Sequence, residues 1–160
     1  METSTMISVA SKVFSFISPI VPYFLPPEME VNEQQTKFGR LAGKEFALLL
    51  WVKFRNKSDK AVLVKSFEVK LAGTWYKSSE HPPVDLALRY TEHYTHQERL
   101  QLNDSITNSP RIPPSDVINR FGFFILPEPV EQWPMSIKLT VRSKFHGRIR
   151  RSVTLTLSNY

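Results

Sequence analysis

The sequence predicts an all-β chain, an antiparallel β-sandwich of about seven strands over residues 44–160. Three observations carry that expectation. The chain holds 12 Pro and 11 Phe, 5 Tyr and 3 Trp but only 5 Gly, among recurring Val, Ile, Leu and Thr runs. Such residues favour pleated, half-buried strands over a helical bundle. Residues 46–54 alternate with strand period. The last two apolar stretches fit a single antiparallel hairpin. A hydrophobic fraction of 41% over 160 residues suffices for one core, and 22% charged residues argues against wholesale disorder.

The chain divides into an apolar, Ser-rich stretch at 1–25, a polar linker punctuated by Pro and Gly at 26–43, and the sandwich at 44–160. Within the first stretch, "STMISVASKVFSFIS" (4–18) is a poor secretory signal, because Lys12 interrupts its apolar run and no basic residue precedes it. It is also a poor membrane span, because serines, Lys12 and two prolines break residues 6–25. Its serines fit a transit peptide, but it lacks arginine and contains Glu2 nearby. On a helix, at about 100° per residue, the segment sorts cleanly. Met6, Ile7, Val9, Ala10, Val13, Phe14, Phe16 and Ile17 share one half of the surface. Ser4, Ser8, Ser11, Lys12, Ser15 and Ser18 share the other. Pro19 disfavours helical geometry at Ser18 and ends the helix there. An N-terminal amphipathic helix is therefore expected. Its apolar face has two destinations to weigh, a protein surface (its own sandwich or a partner subunit) or a lipid interface. With a serine-rich polar face and one lysine, it resembles lipid-packing sensors, which insert bulky groups with little electrostatic help.

The strands follow in order. In "EFALLLWVKFRNKSDK", Phe46, Leu48, Leu50, Val52 and Phe54 line one face. Leu49 and Trp51 make the other face apolar at one end, so this strand is central and partly covered there. "NKSDK" is a turn. In "AVLVKSFEVKLAG", Val62 and Val64 have one parity and Phe67, Val69 and Leu71 the other. A bulge or a change of face near Lys65–Ser66 reconciles them. An apolar strand, a short turn and a second strand that changes face resembles the crossing between sheets of immunoglobulin-like sandwiches, although the Cys…Trp…Cys signature is absent. Residues 84–102 fit both helical spacing and strand parity. We expect a short helix or irregular connection there, then a strand near 98–102. "VINRFGFFIL" is a further strand, terminated by "PEPVEQWP".

The final hairpin allows a register to be derived. Ile137, Leu139 and Val141 on one strand, and Val153, Leu155 and Leu157 on the next, should all face the core. Antiparallel partners share a face, so Val141 pairs with Val153, Leu139 with Leu155 and Ile137 with Leu157. Phe145 and Ile149 then close the hairpin around a tip at Gly147, and Lys144 lies opposite Arg150.

Charge singles out the same hairpin. The net charge is +6, and the last acid is Glu131. Lys138, Arg142, Lys144, Arg148, Arg150 and Arg151 follow it and account for the whole excess. These six are the candidate anion-binding residues, facing anionic lipid, an acidic protein or nucleic-acid phosphates. The plain alternative is a solvated face whose charges protect an edge strand from aggregation. Stacking aromatics would favour nucleic acid, and only Phe145 and nearby His146 offer themselves.

Signs of catalysis are sparse. No Cys is present, which removes disulfides, thiolate metal sites and Cys nucleophiles. No GxSxG elbow, phosphate-binding loop or dinucleotide fingerprint occurs. His93 and His96 would share a face on a helix and could ligate a metal, with Glu92 and Glu98 nearby. On a strand they would diverge. "RYTEH" approaches an inverted zinc motif, but Arg89 occupies a ligand position. Two Asn-x-Ser sequons stand at Asn56 and Asn103. The reading is a non-enzymatic interaction or structural module without a cofactor. Met6, Ile7, Val9, Val13, Phe14, Phe16 and Ile17 meet a membrane surface, and the basic hairpin meets an anionic partner. A nucleic-acid-binding sandwich is the runner-up, and a metal-dependent enzyme at His93 and His96 comes third.

Overall fold

The longest apolar run, Phe46 to Val52, lies at the centre of the molecule, buried on both sides. The computed structural model describes residues 26–42, 45–89, 93–127, 135–146 and 149–159. The expected N-terminal helix and the tip at Gly147 fall outside these residues. Among them, no helix is long and apolar enough to cross a membrane. They form an all-β structure of two antiparallel sheets packed as a sandwich.

The first sheet is built on β3 (Phe46–Arg55). One edge of β3 pairs along its length with β9 (Val117–Leu126). Its other edge is shared by β1 (Glu28–Val31) at one end and β2 (Lys37–Arg40) at the other. β2 in turn pairs with β6 (Asp85–Arg89), and β6 with β7 (Thr95–Arg99). The second sheet runs β11-β10-β4-β5, with β4 at Val62–Leu71, β5 at Thr74–Lys77, β10 at Met135–Phe145 and β11 at Arg150–Asn159. A two-residue strand, β8 (Arg111–Ile112), pairs with the start of β4. Strands β1 and β2 lie within the stretch 26–43 that reads as linker. Four residues carry too little alternation to declare a strand, and these are held by pairing with β3.

The main core fills the space between the sheets. Phe54 of β3 sets its ring edge-on to Phe67 of β4 and Phe145 of β10, at centroid distances of 6.4 and 6.0 Å. Phe67 also packs on Phe124 of β9 at 5.8 Å. The Phe67 ring lies against the backbone at Gly122, where an added Cβ would fall 2.7 Å from it. That close approach is why glycine stands in the middle of a buried strand. A second cluster lies on the far face of the first sheet. There Ala47, Leu49, Trp51, Phe121 and Phe123 are covered by Leu86, Leu88 and Leu100.

That second cluster corrects the reading of residues 84–102. No helix forms at 85–89 or 95–99, and the strand after it is not at 98–102. The segment is instead a hairpin of β6 and β7. Leu86 and Leu88 are buried while Asp85, Ala87 and Arg89 are exposed, which is strand alternation. The apolar face of β3 needed a cover, and burial there outweighs the helical spacing of Leu86, Tyr90 and Tyr94. Tyr94 is exposed.

Elsewhere the parity arguments hold. Val141 pairs with Val153, Leu139 with Leu155, Ile137 with Leu157 and Lys144 with Arg150. The backbone N–H of Phe145 donates to the carbonyl of Ile149 at 2.9 Å. In the β4–β10 ladder, Lys144 pairs with Ser66 but Phe145 with Val64, so Lys65 is an extra residue. This is the bulge that the change of parity requires.

The β3–β4 turn is locked by Asn56, which is 1% exposed. Its side-chain NH2 donates to the carbonyls of Lys60 (2.7 Å), Ile112 (3.1 Å) and Pro113 (3.2 Å). Its oxygen accepts from the N–H and hydroxyl of Ser58. Asn56 is therefore a structural anchor whose amide has no room for a glycan, whatever its sequon suggests. Asn103, by contrast, is exposed.

Candidate anion-binding face

Cross-strand pairing decides which charges meet. Lys138, Thr140, Arg142 and Lys144 of β10 point away from the core, beside Thr156, Thr154, Ser152 and Arg150 of β11. On the other side, Thr140, Arg142 and Lys144 pair with Lys70, Glu68 and Ser66 of β4. Glu68 and Lys70 pair in turn with Lys77 and Trp75 of β5. The outer face of the second sheet thus gathers Lys70, Lys77, Lys138, Arg142, Lys144 and Arg150. Glu68 is the only acid at these paired positions.

Glu68 organises the middle of this face. Its carboxylate accepts from Arg142 Nη2 at 3.0 Å and lies 3.7 Å from Lys144 Nζ. The Arg142 guanidinium stacks over the Trp75 ring, 3.8 Å from its centroid, and Lys70 Nζ sits 5.7 Å from the same ring. Arg142 is thereby fixed between an acid and an aromatic face, an arrangement that suits a planar cation. Glu68 also relieves the facing like charges of Lys144 and Arg150, which are unfavourable directly opposite one another. Thr140 and Thr154 share a 2.9 Å hydroxyl contact farther along the ladder.

The structure brings together four of the six cations that the sequence singles out, Lys138, Arg142, Lys144 and Arg150. Arg148 lies outside the described residues. Arg151 has core-face parity and turns to the opposite side, where its Nε donates to the Pro27 carbonyl at 3.2 Å. It joins the seam between β1 and β11. Lys70, Lys77, Trp75 and Glu68 were missed. The outward parity of Ser66, Glu68 and Lys70 was readable in β4, but their adjacency to β10 rests on a pairing across 74 residues.

The other candidates are dispersed. Phe145 is fully buried and offers no stacking surface. His146 is exposed. His96 sits in β7 with Nε2 3.0 Å from Glu98 Oε2, on the side of the hairpin that carries Leu86 and Leu88. His93 precedes that strand, so the helical spacing that would join the two histidines is not realised. Among the described residues, no three His, Asp or Glu side chains come together as a metal site. Met6, Ile7, Val9, Val13, Phe14, Phe16 and Ile17 lie outside the described residues.

No family model matches this chain, and no curated protein matches it. Among solved structures it is similar to a candidate lipoprotein from Bacillus subtilis at 10% identity and a TM-score of 0.48, covering 82% of this chain and 36% of that one. This chain therefore spans about a third of that protein's length. It is also similar to the structural-genomics target SoR45, at 12% identity and a TM-score of 0.43, over 84% of this chain and 89% of that one. A third likeness, at 10% identity and a TM-score of 0.34, is to a Bordetella pertussis protein given as a candidate ApaA, covering 82% and 94%. At these scores the chain's own residues carry the functional reading.

Proposed function

We propose that this protein is a non-enzymatic interaction module held at a membrane surface. In this reading an N-terminal amphipathic helix inserts Met6, Ile7, Val9, Val13, Phe14, Phe16 and Ile17 into the lipid interface. The basic outer face of the second sheet meets anionic headgroups. The observation that carries the reading is the convergence of six cations on one sheet face around Glu68, the one acid at its paired positions, which is itself paired. Two weak anchors acting together suit this design, because one amphipathic segment alone binds marginally and reversibly. An acidic protein would engage the same cations.

We also infer an immunoglobulin-like topology. Strands β3 and β9 pair in one sheet while β4 and β10 pair in the other, and β11 extends the second sheet by a hairpin. That order matches strands B and E against C, F and G of such sandwiches. The β6–β7 hairpin departs from it by folding over the first sheet.

Liposome co-sedimentation of the full-length protein tests the membrane reading. Phe16→Asp is expected to release the protein from vesicles of neutral or anionic lipid. Anionic lipid is expected to retain more of the parent than neutral lipid does. A Phe16→Asp variant that pellets as well as the parent overturns the reading.

Trp75 favours a second reading, nucleic-acid binding on the same face, because it places an aromatic ring among the cations. One side of that ring is already covered by Arg142. Binding of this kind must weaken steeply with salt, in proportion to the phosphates neutralised. A flat salt response removes it.

A further inference from the structure

The bulge in β4 does more than reconcile two parities. The inserted Lys65 and its neighbour Ser66 both line one groove, as do Phe67 and Glu68 after them. The groove has a volume of about 490 Å³ and opens to solvent. Lys65 and Ser66 of β4, Lys77 and Ser78 at the end of β5, Lys144 of β10 and Thr107 of the connection before β8 line it. Three lysines from three strands therefore line one space, together with residues that carry hydroxyls. Its two acids are Glu68 and Glu80. Glu68 is already occupied by Arg142 at 3.0 Å and Lys144 at 3.7 Å. The hydroxyl oxygen of Ser66 is buried and has no hydrogen-bond partner among the described residues. A buried hydroxyl left without a partner costs free energy that a ligand oxygen would return.

We propose that this groove binds a phosphomonoester group, carried either by a lipid headgroup or by a soluble molecule. The donor set selects this chemistry. A planar carboxylate is best met by the fork of an arginine, but the arginine nearby, Arg142, is committed to Glu68 and Trp75. Lysines and hydroxyls are point donors without a preferred plane, which suits a tetrahedral oxyanion. Lys65, Lys77 and Lys144 against Glu68 and Glu80 leave the groove one net positive charge, and Arg142 on Glu68 adds another, which meets the up to two negative charges of a phosphomonoester. The lipid-borne form rests on the membrane reading above. The soluble form does not.

The test uses the full-length protein in two arms. In the first, inorganic phosphate is titrated while backbone amide resonances are followed. Shifts are expected at residues 65–66, 77–78 and 107. Lys65→Gln and Lys77→Gln are each expected to weaken binding about tenfold, the scale of one lost charge-assisted hydrogen bond. Lys53→Gln, an equal loss of charge on the other sheet, should stay within about twofold. In the second arm, vesicles of phosphatidylcholine carry either phosphatidic acid or phosphatidylserine at equal total charge. Preference for phosphatidic acid, lost in Lys65→Gln, supports the lipid-borne form. Phosphate binding without any vesicle binding supports the soluble form and counts against the membrane reading alone. Vesicle binding that ignores the lipid type and Lys65 leaves the membrane reading standing and overturns the groove. Equal losses in Lys53→Gln and Lys65→Gln, or no shifts around the bulge, also overturn it.

Discussion

The two sheets of this molecule bury their residues differently. In β3, seven consecutive residues from Phe46 to Val52 are buried, because one face meets the opposite sheet and the other lies under the β6–β7 hairpin. In β10, residues alternate, with Ile137, Leu139 and Val141 buried and Lys138, Thr140 and Arg142 turned outward. A strand covered on both sides reads as a continuous apolar run, and one covered on one side alternates. The difference separates two jobs. The first sheet has spent both faces on stability in its central strand, so substitutions there should be felt mainly in folding. The second keeps one face that no other described strand covers, and on the reading proposed above changes there should be felt mainly in binding.

Phe54→Ala is the sharpest way to break this comparison. Phe54 touches β4 through Phe67 and β10 through Phe145, so truncating it opens a cavity between the sheets. The expected loss is about 3–5 kcal/mol of unfolding free energy by chemical denaturation. Thr156→Ala, on the outer face, should stay within about 0.5 kcal/mol. Comparable losses from the two would show that the outer face is structural. Gly122→Ala should come next. Its new Cβ would lie 2.7–2.9 Å from the rings of Phe67 and Phe124, which must shift. Overpacking of this kind costs about 1–3 kcal/mol.

A smaller change of opposite sign is expected in the second sheet. The β4–β5 hairpin turns through Ala72 and Gly73, both with positive φ, 49° and 87°. Two such residues in a two-residue turn match a type I′ hairpin, where Asn-Gly is the favoured pair. Ala72 pays for a left-handed conformation that asparagine tolerates better. Ala72→Asn should therefore stabilise the protein by about 0.5–1 kcal/mol, measured by the same denaturant titration. A destabilised variant would show that Ala72 makes an apolar contact worth more than its strain.

The parts of the fold that were legible in the sequence are those governed by local parity. The alternation of Phe46 to Phe54, the bulge at Lys65 and the β10–β11 register each follow from residues close together in the chain. Residues 84–102 were misread because Leu86, Tyr90 and Tyr94 fall at spacings shared by helix and strand. What separates the two readings is the uncovered face of Leu49 and Trp51, some forty residues earlier. The candidate face was half legible for the same reason. Its charges were countable along the hairpin, but Glu68 and Trp75 reach Arg142 through non-local pairing. The phosphate groove depends on residues 65, 77, 107 and 144 meeting in space, and no local pattern joins them.

The weakest expected effect concerns the edge where β1 joins the first sheet. Glu28 lies 2.6 Å from Lys57 Nζ and 3.8 Å from Arg55 Nε. The hydrogen bond from Lys57, helped by the charges of Lys57, Arg55 and Arg151, holds the Glu28 carboxyl below its ordinary value of 4.5. A carboxyl lowered on folding adds stability above its unfolded pKa and loses it as the pH falls through the folded one. Parent and Glu28→Gln should therefore differ most near neutral pH and low salt, and converge as the pH drops below 4.5. Both partners are half exposed, so screening keeps the difference smaller than at Phe54, Gly122 or Ala72. A gap that does not change with pH would mean that β1 is held by its backbone pairing with β3 and not by this charge. The two sheets would then differ in burial alone, with no electrostatic clasp at the edge of the first.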